Sequence, residues 1–150
     1  MKMFKTLDIL FSLSGCNLFA QWQTDVRLTN FDNSSYTSYN NAWNVASSGN
    51  IVHAVWYDSR VSSINYEIYY KRSTDAGLSW GADIRLTNNA GDSHLPSVSV
   101  SGSVVHVAWQ DKRDGNFEIY YKRSTDAGLS WEADTRLTNA IYDSWHPSVS

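Results

Sequence analysis

The chain has 150 residues and a formal charge of −3, a balance that gives no electrostatic case for nucleic acid. A single Cys excludes an internal disulfide framework and a Cys-based metal cluster. Seven Trp and nine Tyr, with abundant Ser and Thr and no helical periodicity, point to an all-β protein whose 42 % hydrophobic content suffices for a packed core.

Residues 1–20 read as an export signal: Lys2 and Lys5 give a positive start, and 7–13 is mostly apolar apart from Asp8. Two processing readings are open. Leu13-Ser14-Gly15-Cys16 has the form of a lipobox, which would place a lipid anchor on Cys16. Cleavage after Ala20 would instead leave Gln21 as the mature start, and this is favoured because 21–23 runs straight into the first repeat-like segment. The apolar run is too short to span a bilayer as a helix. Either route places the protein at the cell surface or secreted.

Asp25-Val26-Arg27-Leu28-Thr29-Asn30 recurs, with small changes, at 83–88 and 134–139, so it ends a repeat. Its alternation suits a strand with one wet face, and its charges suit an outer edge. Residues 21–42 are therefore a lead-in containing an outer strand. Next come two units of four expected strands. Strand one is 43–47, matched by 96–101. Strand two is 51–56, matched by 104–109, with both faces largely apolar as in a buried central strand. Strand three is 66–73, matched by 117–124, and strand four is 80–87, matched by 131–138. Hairpin connections are expected at Ser48-Gly49-Asn50, Ser101-Gly102-Ser103 and Asp114-Gly115-Asn116.

The stretch EIYYKRSTDAGLSW occurs twice without change, at 67–80 and 118–131, an offset of 51 residues. Repetition at this period marks an array of one supersecondary unit. Within it stand Ser73, Asp75, Gly77 and Trp80, copied as Ser124, Asp126, Gly128 and Trp131. The Asp carboxylate can accept backbone N–H groups just ahead of it, and Gly two positions later tolerates the positive φ of a tight turn. The Trp adds a large apolar plate.

This S-x-D-x-G-x-x-W pattern resembles the Asp box, or bacterial neuraminidase (BNR) repeat, of the sialidase-like β-propellers of the neuraminidase superfamily. The resemblance covers nearly all of 25–150. It implies four-stranded antiparallel blades: blade one at 43–88, blade two at 89–139, and the start of a third at 140–150. The chain is then expected to be part of a six-bladed propeller. The resemblance also implies that the Asp box is a structural turn remote from any site.

Because direction reverses at every strand, loops between strands two and three share one end of the sheets with the crossings between units. Longer and more varied loops make that end the expected ligand site. It carries Asp58, Arg60, Asp111 and Arg113 within W-x-D-x-R, and His94, Trp145 and His146 in the crossings. Asp58/Arg60 and Asp111/Arg113 recur in both units, which favours a structural ion pair over a ligand role. His94 and Leu95 become Trp145 and His146, with Asn41 and Ala42 at the equivalent places in the first unit. Aromatic and imidazole groups there could stack on and hydrogen-bond a sugar. His53 and His106 lie in apolar strands and read as core histidines. The run 111–116 lacks the alternating oxygens of a calcium loop and reads as a hairpin turn. Nothing implies a metal or cofactor.

The resemblance carries two functional expectations. One is an exported repeat scaffold that binds glycans or a surface protein. The other is an exo-α-sialidase, with an arginine triad for the substrate carboxylate and a Tyr nucleophile assisted by Glu. No unrepeated Arg, Tyr or Glu here marks such a set, and Arg27, Arg85 and Arg136 fall in the outer-strand motif. A third reading is a display protein that binds no ligand.

Overall fold

The computed structural model describes residues 24–39 and 43–150. The export signal and Cys16 lie outside these residues. Nine strands follow in order: β1 (Ser35–Tyr36), β2 (Val45–Ser48), β3 (Ile51–Ser62), β4 (Asn65–Ser73), β5 (Ile84–Arg85), β6 (Ser93–Ser101), β7 (Val104–Asp111), β8 (Glu118–Ser124) and β9 (Thr135–Arg136). Among the described residues there is no helix. The strands form two antiparallel sheets, β1-β3-β4-β5 with β2 also on β3, and β6-β7-β8-β9.

Both sheets are built by the same sequence logic. Two-residue turns with Gly49 (φ 58°) and Gly102 (φ 60°) close the first hairpin of each, a conformation that costs a side-chain-bearing residue steric strain. β3 and β7 pair on both edges and carry apolar side chains on both faces. Val55, Ile68, Tyr70 and Leu86 from the first sheet meet Val98, Val105, Val107, Trp109 and Tyr120 from the second in one core. Burial of such side chains contributes about 1.5–3 kcal/mol each.

Several expected boundaries move, each for a physical reason. Residues 25–30 form no strand. Arg27 donates from Nε to the Thr29 carbonyl at 2.6 Å, as Arg85 does to Thr87 and Arg136 to Thr138, both at 2.7 Å. The fourth strands shrink to two residues each, β5 and β9. Side chains replace the missing ladder. The buried Glu67 carboxylate accepts Arg85 Nη2 at 2.5 Å and the Thr87 hydroxyl. Glu118 accepts Arg136 Nη2 at 3.0 Å and the Thr138 hydroxyl. Arg85 and Arg136 therefore hold their own sheet instead of only decorating an edge.

The first strand of the second unit starts earlier than expected, at Ser93, with an irregularity between His94 and Ser97. In the first sheet the same edge is split into β1 and β2. Ser35 pairs with Asp58 as Ser93 pairs with Asp111. Tyr36 thus pairs with Tyr57 as His94 pairs with Gln110, and the two occupy matching places; Asn41 and Ala42 lie outside the described residues.

His53 is a core histidine, fully shielded, with Nδ1 2.7 Å from the Tyr70 hydroxyl. Burial, aided by Arg72, lowers its pKa to about 4. The unfolded chain takes up this proton near pH 6.5 and the folded chain only near 4. Stability is therefore expected to fall as pH drops through that window, by roughly 2 kcal/mol after allowance for solvent screening. Denaturant midpoints for His53→Gln should show a flatter profile between pH 6.5 and 4. An unchanged slope would remove His53 as the cause.

Candidate functional site

The two ends of the sheets differ in kind. At one end the β2–β3 turn meets the Asp-box turn, with Ala76 N–H donating to the Asn50 carbonyl at 2.8 Å and Ala127 N–H to Ser103 at 2.7 Å. There Asp75 Oδ1 accepts the Ser79 N–H at 2.8 Å and the Ser73 hydroxyl at 2.7 Å. Ser73 Oγ in turn accepts the Gly77 N–H at 2.8 Å. The second turn repeats this around Asp126 and Ser124. These bonds hold both carboxyls low, Asp75 at about 2, with the Ser79 hydroxyl the largest cause. Gly77 (φ 91°) and Gly128 (φ 83°) adopt the expected positive φ, and Ala76 and Ala127 (both φ 57°) join them. Trp80 and Trp131 stand just outside any strand. Trp80 bonds the Gly77 carbonyl at 3.1 Å, whereas Trp131 packs edge-on against Tyr70 at 4.9 Å. The Ser and Asp side chains that the motif brings to this end are spent on the turn itself.

At the opposite end, here the head, crossings meet the loops after β3 and β7. Asp92 accepts the Tyr66 N–H at 2.9 Å through its side chain and the Lys112 N–H at 2.9 Å through its carbonyl. Asp143 accepts the Phe117 N–H at 2.7 Å.

The W-x-D-x-R residues form one clamp in each sheet. Asp58, fully buried, accepts Trp56 Nε1 at 2.9 Å and Arg60 Nη2 at 2.6 Å. Arg60 also reaches Asp83 at 2.5 Å and lies 4.1 Å over the Tyr69 ring. Asp111 accepts Trp109 Nε1 at 2.8 Å, Arg113 Nη2 at 2.6 Å and the Ser93 hydroxyl at 2.8 Å. Arg113 reaches Asp134 at 2.7 Å and lies 4.2 Å over Tyr120. Hydrogen bonds to Asp58 raise the Arg60 pKa. Burial works against the charge of Arg113, but its bonds to Asp111 and Asp134 outweigh it. Burial alone would raise the Asp111 carboxyl, and the bonds from Arg113 and Trp109 hold it below its usual range. Both guanidiniums are committed to two carboxylates and a ring, which leaves them little capacity for a ligand.

His94, Trp145 and His146 are brought together with five further rings, Tyr36, Tyr39, Tyr57, Tyr66 and Phe117. Tyr36 stacks on Tyr57 at 5.3 Å. His94 lies 5.0 Å from both Tyr57 and Tyr66 on one side and 5.7 Å from Phe117 on the other. Phe117 meets Trp145 at 4.7 Å, and His146 contacts Tyr39 at 5.9 Å. An aromatic band thus crosses the heads of both sheets. Tyr66 and Phe117 occupy matching positions just before Glu67 and Glu118, so the recurrence of an aromatic there was a readable signal. Leu95 (φ 51°) and His146 (φ 59°) hold the left-handed conformation directly after His94 and Trp145, a strain that side-chain-bearing residues keep only where surroundings impose it. Burial lowers the His94 pKa, against the opposing charges of Asp92 and Asp111, so the band carries a neutral imidazole. Trp145 remains 51 % exposed.

Among the described residues no group of His, Cys, Asp or Glu is placed to hold a metal ion, and no helix is long and apolar enough to cross a membrane. Comparison with protein-family models gives no match to the chain, and comparison with curated proteins gives none either.

Proposed function

We propose that the two sheets are successive blades of an exported, sialidase-like β-propeller that binds a glycan at its head and does not cleave it. The observation that carries the reading is the aromatic band from Tyr36 through His94 to Trp145. A pyranose offers an apolar C–H face and a rim of hydroxyls, and rings with polar edges suit both.

The propeller component is supported by repetition of the packing step between sheets. Lys122 donates to the Leu86 carbonyl at 2.5 Å, and Lys71 donates to the Leu28 carbonyl at 2.7 Å. The segment around Leu28 therefore lies across the first sheet as the one around Leu86 lies across the second. Against catalysis stands the commitment of Arg60 and Arg113 to internal carboxylates.

The test is a glycan array with the full chain, followed by titration of the best ligands. Trp145→Ala should weaken binding about tenfold or more, since an exposed stacking ring contributes on the order of 1.4 kcal/mol. Its melting temperature should stay unchanged. Release of sialic acid from a fluorogenic sialoside, abolished on replacing one head-end Arg, would overturn the non-catalytic reading.

A further inference from the structure

We infer that the groove at the head of the first sheet takes an uncharged pyranose and disfavours a carboxylated one; this rests on the glycan reading above. The groove encloses about 600 Å³, room for one or two sugar rings within the usual range of ligand sites. Its walls are Tyr36 and Tyr66, and its polar rim is Asp32, Asn33, Ser34, Ser59 and Ser63.

Each part has a use that a sugar would need. Tyr57 covers one face of Tyr36 at 5.3 Å, yet Tyr36 stays 41 % exposed, so an open face is left for a C–H surface. Tyr66 stands edge-on to Tyr36 at 6.0 Å and closes a corner. Three serine hydroxyls can each donate and accept, the Asn33 amide does both, and the Asp32 carboxylate only accepts. That mixture matches sugar hydroxyls, which also do both.

The charge balance decides the sugar class. Asp32 is the one ionisable acid or base on the rim, and no cation lines the groove among the described residues. Two arginines lie near it outside the lining. Arg60 is held by Asp58 and Asp83, and Arg27 turns to the Thr29 and Phe31 carbonyls at 2.6 and 3.2 Å. A sugar carboxylate would meet Asp32 with no guanidinium in the groove wall to pair with, a like-charge contact that weakens binding about tenfold at close range.

The experiment titrates the full chain with lactose and with 3′-sialyllactose by calorimetry. Lactose should bind at least about tenfold more tightly. Ser63→Trp, which fills the groove from the exposed β3–β4 turn, should abolish lactose binding with an unchanged melting temperature. Asp32→Asn should narrow the preference for lactose over its sialylated form to about threefold or less. Tighter binding of sialyllactose, or lactose binding that survives Ser63→Trp, would overturn the inference. In those cases loss of the array ligands in Trp145→Ala would show the glycan reading still standing. Absence of binding to any glycan would remove both.

Discussion

Gly128→Ala is expected to destabilise the protein by about 2–4 kcal/mol, and Gly77→Ala by only about 1 kcal/mol, although both are the glycine of an identical motif. Each has positive φ, 83° and 91°, so each alanine would carry the strain of that conformation. They differ in what stands opposite. A methyl group at Gly77 would have only its own Trp80 within reach, at 4.0 Å, whereas at Gly128 it would overlap the Tyr70 hydroxyl and ring. Tyr70 is fully buried and tied to His53, so it has nowhere to retreat. Overpacking of such a site adds about 1–3 kcal/mol or more. Chemical denaturation of the two variants checks the difference. Replacing Tyr70 with Phe should shrink the Gly128→Ala penalty, because coupled neighbours are not additive. Equal losses in the two glycine variants would mean that the Tyr70–Gly128 contact does not join the sheets.

The contrast marks where sequence reading reached and where it stopped. Identical fourteen-residue blocks announce like local turns, and the Ser and Asp bonds around Asp75 recur around Asp126, while the tryptophan bond to the Gly77 carbonyl does not. The block cannot say that Tyr70 of one copy faces Gly128 of the other. That contact depends on how sheets stack, and it separates two glycines which the sequence makes equivalent. Strand ends escaped for a related reason. Alternation across 80–87 suggested a long fourth strand, but Arg85 and Thr87 turn inward to Glu67 and do by side chain what a ladder would do by backbone. At the head, His94, Trp145 and His146 were legible as positions that break the repeat. Of their neighbours, Tyr57 was hidden because it sits on a regular strand and looks like an ordinary sheet residue, whereas Tyr66 and Phe117 were legible only as an aromatic recurring before each glutamate. The match of Tyr36 to His94 needed the strand pairing, because letters alone do not tell on which side of a short strand an insertion falls; Ser35 pairs with Asp58 as Ser93 does with Asp111.

Asp111→Ala is expected to cost about 3–5 kcal/mol, the range for removing one member of a buried ion pair. The carboxylate is fully shielded and gathers Arg113, Trp109 and Ser93. Without it, Arg113, Trp109 and Ser93 lose their shared acceptor, and the Arg113 charge keeps only Asp134 at 2.7 Å. Asp58→Ala should cost less, since its serine partner stands farther off, at 3.4 Å against 2.8 Å. The double variant Asp111→Ala with Arg113→Met should recover part of the loss, as apolar replacement of a whole buried pair is often tolerated. Binding separates a clamp from a ligand contact. Ser93, held by Asp111, directly precedes His94, which fills the space between Tyr57, Tyr66 and Phe117. Loosening Ser93 should therefore weaken glycan binding by displacing His94, and the double variant, still lacking the carboxylate, should stay weak while its stability rises. Arg113→Met alone leaves the Asp111–Ser93 bond in place, so it should lower stability and spare affinity. Affinity lost in Arg113→Met, at temperatures where the variant is still folded, would make the guanidinium a ligand contact and the clamp reading wrong.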